Sequence, residues 1–194
     1  MNISDPLFLS ENICLGPIDS EKDAEIESGW THDADYMRMI SLDPVIPQPA
    51  AVIKKRYESI EKSQDEKRDL FYFTIRMRTD DRMIGFGKID WIVWSNGTGY
   101  VQLGIGDPNV RGKGYGSEAL RLLLRFAFDE LNLYRLSAQI PEYNAAGQGL
   151  ALKFGFSEEV RRREALERDG RRWDLLHFGL LADEWQAKSR AASG

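Results

Sequence analysis

Residues 100 to 117 read Tyr100-Val-Gln-Leu-Gly-Ile-Gly-Asp-Pro-Asn-Val-Arg-Gly-Lys-Gly-Tyr-Gly-Ser117, and Glu118-Ala-Leu-Arg-Leu-Leu-Leu-Arg-Phe-Ala-Phe128 follows without a break. The first residues suit a strand, the last repeat apolar side chains at helical spacing, and Gly112, Gly114 and Gly116 lie between. A strand that turns through glycines into a helix leaves bare backbone N–H groups at the helix N-terminus, where partial positive charge collects. Such a turn receives an anion, most simply a phosphate.

Downstream, Ala119, Leu120, Leu123, Leu124, Ala127 and Leu131 form one apolar stripe, with Glu118, Arg121, Arg125, Asp129 and Asn132 opposite. Leu133–Ile140 then reads as a strand. A helix joins it to the strand at 100–106, so the two are expected to be parallel neighbours. A short helix from Asn144 to about Lys153 leads to two strands near 157–166 and 172–181, joined at Asp169-Gly170, a tight-turn pair. The polar tail Ala182–Gly194 is expected to fray.

Upstream, Phe71–Arg78 and Met83–Trp94 read as strands joined by Thr79-Asp-Asp-Arg82, and Ser95-Asn-Gly-Thr-Gly99 turns into the strand at 100. Three antiparallel strands therefore lead up to the glycine loop. Before them come a loose leader at 1–10 and a short strand at Ile13–Ile18. A helix opened by Asp19-Ser20-Glu21 carries Ala24, Ile26 and Trp30, and a second holds Tyr36, Met37, Met39 and Ile40. A proline-rich loop at 43–49 precedes a third helix from Ala50 to about Gln64, with Val52, Ile53, Tyr57 and Ile60 at helical spacing.

The 194 residues suit one domain, and the net charge of −5 argues against a nucleic-acid partner. Cys14 alone cannot form an internal disulfide. The start lacks a basic, apolar leader, and no run of about 18 apolar residues exists to span a membrane. A cytoplasmic protein without nucleic-acid or membrane partners is expected.

Two phosphate loops fail here. The P-loop pattern requires Gly where Asp107 stands and Ser or Thr where Gly114 stands; the dinucleotide pattern fails at Asn109 or at Ser117, depending on its start. The acyl-CoA loop, [RQ]-x-x-G-x-[GA], is met at every position by Arg111-Gly-Lys-Gly-Tyr-Gly116. With Gly104-x-Gly106-x-Pro108 before it, Asn144, and Gly155-Phe156 eleven residues later, the chain resembles the GNAT acetyltransferase superfamily, in its RimJ/RimL-like branch. The resemblance runs over about residues 11–185. It implies one α+β domain spanning 1–194, with a twisted, mostly antiparallel sheet of six to seven strands, a splayed parallel pair and flanking helices.

The same resemblance implies acetyl transfer from acetyl-CoA to a primary amine, a protein N-terminus or a small amine, in a ternary complex without a metal. Leu103, Gly104 and Ile105 would lie along the pantetheine arm. Arg111, Gly112, Lys113, Gly114, Tyr115 and Gly116 would hold the pyrophosphate, and Asn144 would donate to the arm while capping its helix. Three positions depart from the family: Ala151 stands where many members have a tyrosine acid, Gly147 where the branch often has serine, and Gln139 where a glutamate is common. Tyr143 is then the candidate acid and Asp90, beside Trp91, the candidate base. His32 and His177 are weaker candidates. The departures also admit a second reading, a CoA-binding or regulatory module without turnover. The arginine- and glutamate-rich hairpin at 157–172 reads as solvated, or as a homodimer contact. Trp91, Trp94, Trp173, Phe71 and Phe73 are core or acceptor-pocket lining.

Overall fold

The computed structural model describes residues 6–192, with side chains through Lys188. Seven strands form one sheet: β1 (Ile13–Gly16), β2 (Phe71–Met77), β3 (Met83–Val93), β4 (Thr98–Ile105), β5 (Arg135–Pro141), β6 (Ser157–Arg168) and β7 (Arg171–Leu181). Their order is β1-β2-β3-β4-β5-β7-β6. Among the described residues only β4 and β5 run parallel; every other neighbouring pair is antiparallel. Among the described residues, the six α-helices are α1 (Lys22–Trp30), α2 (Ala34–Ile40), α3 (Ala50–Glu66), α4 (Tyr115–Arg125), α5 (Ala145–Phe154) and α6 (Ala182–Ala192).

Two apolar clusters divide the molecule. Around α4, Ala119, Leu120, Leu123 and Leu124 are buried with Ile75, Ile84, Ile89 and Leu136 of the sheet, as the helical stripe requires. Each fully buried leucine contributes about 1.5–3 kcal/mol relative to exposure. The second cluster gathers Trp30, Tyr36, Ile53 and Tyr57 of α1–α3 onto Tyr72 and Phe86 of β2 and β3, whose rings stack 5.6 Å apart. Val52, placed by its spacing on the apolar side of α3, is exposed instead. An ion pair between Asp23 of α1 and Arg76 of β2 ties this layer to the sheet.

Four local expectations change. The leader is not loose from Phe8 onward: that ring sits 5.7 Å from both Phe73 and Phe126, and Ser10 Oγ donates to Glu118; Met1–Asp5 fall outside the described residues. Strand β3 bulges between Asp90 and Val93, which puts Trp91 at φ 51° and 74% exposed. The next strand is reached through a single 3-10 turn, Trp94–Asn96, closed by Gly97 at φ 62°. The polar tail forms α6 because Trp185 is buried, 6.4 Å from the rings of Phe128 and Phe154, and Glu184 accepts from the Leu181 N–H at 2.9 Å.

Candidate functional site

The β4–β5 pairing is short. Thr98, Gly99 and Tyr100 pair with Arg135, Leu136 and Ser137; beyond these, β4 continues to Ile105 and β5 to Pro141 with no further partners between them. The opening makes a wedge. Leu103, Gly104 and Ile105 form its β4 wall, and on their far side they pair with Gly87, Phe86 and Gly85 of β3.

The glycine loop lies just past the β4 end of the wedge. Among the described residues, none of the backbone N–H groups from Arg111 to Gly116 donates to a protein acceptor. Gly114 caps α4 at φ 94°, a left-handed conformation that costs other residues energy, and a Cβ built there meets nothing within 4 Å. The same space is open at Gly112, at φ 76°. Six unpartnered donors around an open cradle, at a helix N-terminus, make a nest for an anion with several oxygens. Lys113 is exposed beside it. Lys153, which no sequence signal singled out, reaches 3.2 Å from Ser117 Oγ in the first turn of α4.

Arg111 contributes its backbone to this cradle but not its charge. Its Nε and Nη2 donate to the carbonyls of Ile105 and Gly106 at 2.9 and 2.7 Å, and Nη1 pairs with Asp33 at 2.8 Å. Hydrogen bonding from the Tyr36 N–H, joined by Arg111, holds the Asp33 carboxyl below the usual carboxylate range.

Helix α2 spans the mouth of the wedge. Its last carbonyls are orphaned, as in any helix, and side chains from both walls take them. Tyr143 Oη donates to Arg38 O at 3.0 Å, Asn144 Nδ2 to Met39 O at 3.2 Å, and Gln102 Nε2 of β4 to Ile40 O. Asn144 also caps α5, its Oδ1 accepting from the Gly147 N–H at 2.8 Å. Replacing Asn144 with alanine should cost about 1 kcal/mol of stability, read as a lower urea midpoint.

The candidate proton handlers are placed less favourably. The Tyr143 hydroxyl proton is committed to Arg38, and its ring packs edge-on to Trp173 at 5.5 Å beside a small cleft between α2 and the β6–β7 hairpin. Asp90 is ion-paired with Lys88, and the Trp91 flank is absent because that side chain points to solvent. Ala151 is buried in the core and His32 is exposed. His177, opposite Gln139 in the β5–β7 register, has a buried Nε2 without a partner among the described residues; burial and then Arg162 push its imidazole below the ordinary value. Among the aromatics, Phe71 and Phe73 pack against the core, whereas Trp94 is exposed.

The sequence matches the family described as Acetyltransferase (GNAT) domain over residues 12–157. The chain belongs to the GNAT acetyltransferase family. Among its relatives, the uncharacterized N-acetyltransferase YnaD of Bacillus subtilis (strain 168) is 27% identical over 169 residues, covering 84% of this chain and 91% of that protein. The ribosomal N-acetyltransferase-like YdaF of the same organism is 34% identical over 77 residues, 40% of this chain and 42% of its own. A spermidine N-acetyltransferase from Vibrio cholerae, solved in complex with CoA and spermine, superimposes with a TM-score of 0.76 at 17% identity, over 90% of this chain and 98% of that one. A probable acetyltransferase superimposes at 0.80 with 21% identity, over 93% and 98%. At these identities the two structures speak for the fold. The GNAT fold that the resemblance implies is the fold observed, with its mixed sheet and single parallel pair among the described residues.

Proposed function

We propose that the chain is an acetyl-CoA-dependent N-acetyltransferase of the RimJ/RimL-like kind, moving an acetyl group to a primary amine by direct attack in a ternary complex. The observation that carries this reading is the row of six unpartnered N–H groups at the head of α4, opening onto the end of the β4–β5 wedge. The cradle fits a pyrophosphate, and the unpaired β4 edge offers main-chain groups to an amide-bearing arm. Bound acetyl-CoA supplies an activated acyl carbonyl. The residues of this chain hold it through the loop from Arg111 to Gly116, Lys113 and the β4 wall at Leu103–Ile105. Asn144 retains one Nδ2 proton beyond its bond to Met39 for the same arm.

The acceptor is a small amine or a protein N-terminus. An acidic chain, at −5, favours a cationic one. The V. cholerae neighbour's spermine complex and the name of YdaF support the two acceptor kinds in turn. A free Cys14 thiol supports a cytoplasmic setting.

Thermal unfolding with acetyl-CoA tests the reading. At a hundred times its dissociation constant the ligand should add about 2.7 kcal/mol. Purified protein should then release CoA thiol with at least one of spermine, an aminoglycoside and a basic N-terminal peptide. No shift at millimolar acetyl-CoA overturns the proposal, whereas a shift without thiol release moves the chain to the non-catalytic reading.

A further inference from the structure

Tyr36, on α2, is 5% exposed. Its ring is used in packing: it meets Trp30 edge-on with centroids 6.2 Å apart, and the Arg111 guanidinium stands 5.0 Å from its centroid. Its hydroxyl is not used. It is shut away from water and, among the described residues, has no hydrogen-bond partner. Phenylalanine would fill the same space without that unpaired group, so the oxygen asks for a partner from outside the chain.

Its position says which partner. A Cβ built on Gly104 would lie 2.9 Å from the Tyr36 oxygen, with Ile40 and Phe86 at 2.9 and 3.0 Å. The hydroxyl thus stands directly over the main chain of Gly104, on the stretch of β4 that has parted from β5, and any side chain at 104 would displace it. Burial first, and Glu27 second, hold the phenol proton on the oxygen far above neutral pH. The group is therefore a permanent donor. Asn144, Gln102 and Tyr143 fix the carbonyl end of the helix that carries it.

Building on the acetyltransferase reading, we infer that the Tyr36 hydroxyl is a catalytic hydrogen-bond donor to the thioester oxygen of the acetyl donor. As the amine nitrogen bonds to the carbonyl carbon, the C=O π pair moves to this oxygen and the hydrogen bond strengthens. The C–S bond then breaks with its electron pair on sulfur, which leaves as thiolate, and the amine proton passes to solvent. Tyr36 gives up no proton. The arrangement polarises the carbonyl without any contribution from Ala151, Gly147 or Gln139.

Tyr36→Phe tests this with two readouts. Free of ligand, the variant should unfold at the same or a higher urea midpoint, because it loses only an unpaired hydroxyl. By calorimetry the wild type should bind acetyl-CoA about two- to tenfold more tightly than CoA, and the variant should lose that preference while keeping its affinity for CoA. With the panel amine that the wild type uses, kcat should fall about a hundredfold and the acceptor KM should not change. An unchanged acetyl-CoA preference in the variant overturns the inference, as does a kcat within twofold of wild type or a loss confined to acceptor KM. If the wild type neither binds nor turns over acetyl-CoA, the acetyltransferase reading falls as well; if it does both and Tyr36→Phe matches it, only the role of Tyr36 falls.

Discussion

Gly114→Glu should fold but lose all stabilisation by acetyl-CoA. At φ 94° a side chain at this position costs roughly 1–2 kcal/mol of backbone strain, and the built Cβ meets nothing within 4 Å, so the protein itself leaves room for it. What the new carboxylate does occupy is the cradle. It places a negative charge among the N–H groups from Arg111 to Gly116, where it accepts their hydrogen bonds and repels a pyrophosphate. The gain of about 2.7 kcal/mol at a hundred times the wild-type dissociation constant should vanish, and thiol release should drop below detection at the same concentration. Strain is separated from ligand loss by Gly170→Glu. That glycine, at φ 70° in the β6–β7 turn, also has open space around its built Cβ. It should show a similar drop in intrinsic stability with the acetyl-CoA shift intact. If both variants keep the shift, the α4 loop is not the phosphate site.

The features legible in the sequence were those written in local pattern. The α4 stripe, the aromatic and β-branched runs of β2 and β3, and Asp169-Gly170, whose φ values of 54° and 70° are both positive, each depend on residues a few positions apart. The parallel β4–β5 pair followed from one helix joining two strands. Arg111 to Gly116 stood out because glycine's backbone freedom leaves a spacing that can be checked residue by residue. Asn144 stands out through the family resemblance and Gly155-Phe156 eleven residues later, and Tyr143 by flanking it; in the fold their side chains bind the Met39 and Arg38 carbonyls of α2.

Long-range contacts were not legible. Arg111 reads as a phosphate cation, but Asp33, seventy-eight positions away, and two carbonyls claim its guanidinium. Helix α2 looks like a short amphipathic piece with Tyr36 as one more apolar residue. Its importance comes from Gln102, Tyr143 and Asn144 binding its last carbonyls, and from Gly104 admitting the hydroxyl. Neither has a local signature. Trp185 is the buried aromatic that anchors α6, and a single tryptophan in a polar tail carries no periodicity to detect. The bulge that turns Trp91 outward depends on how β3 meets β4. Each of these is a tertiary choice that composition within a short window does not encode.

The same limit hides a buried ion pair between α1 and β2, and the result expected on breaking it is large. In sequence Asp23 is an acid in the first turn of a helix, a favourable but small dipole interaction of a few tenths of a kcal/mol up to about 1. In the fold it is 0% exposed, and both of its oxygens lie 2.6 Å from Arg76 Nη2. Its Oδ2 also accepts from the Asp19 N–H at 2.7 Å, while Arg76 donates to Thr74 Oγ1 at 3.1 Å and to the Asp81 carbonyl at 3.1 Å. Asp23→Ala removes the buried partner and leaves a guanidinium, whose side chain is only 12% exposed, with just the exposed Asp81 carboxylate 3.9 Å away as counter-charge. The cost should be about 3–5 kcal/mol, seen as a lower urea midpoint at constant m-value. The corresponding fall in Tm is roughly 6–20 °C for a chain of this length. The double variant Asp23→Leu with Arg76→Met separates the worth of the pair from the penalty for an orphaned charge. An apolar pair of similar volume needs no desolvation of ions, so the double variant should regain most of what Asp23→Ala loses. A double variant as unstable as the single one would mean that the hydrogen bonds to Asp19, Thr74 and Asp81, rather than the buried charges, hold α1 to β2.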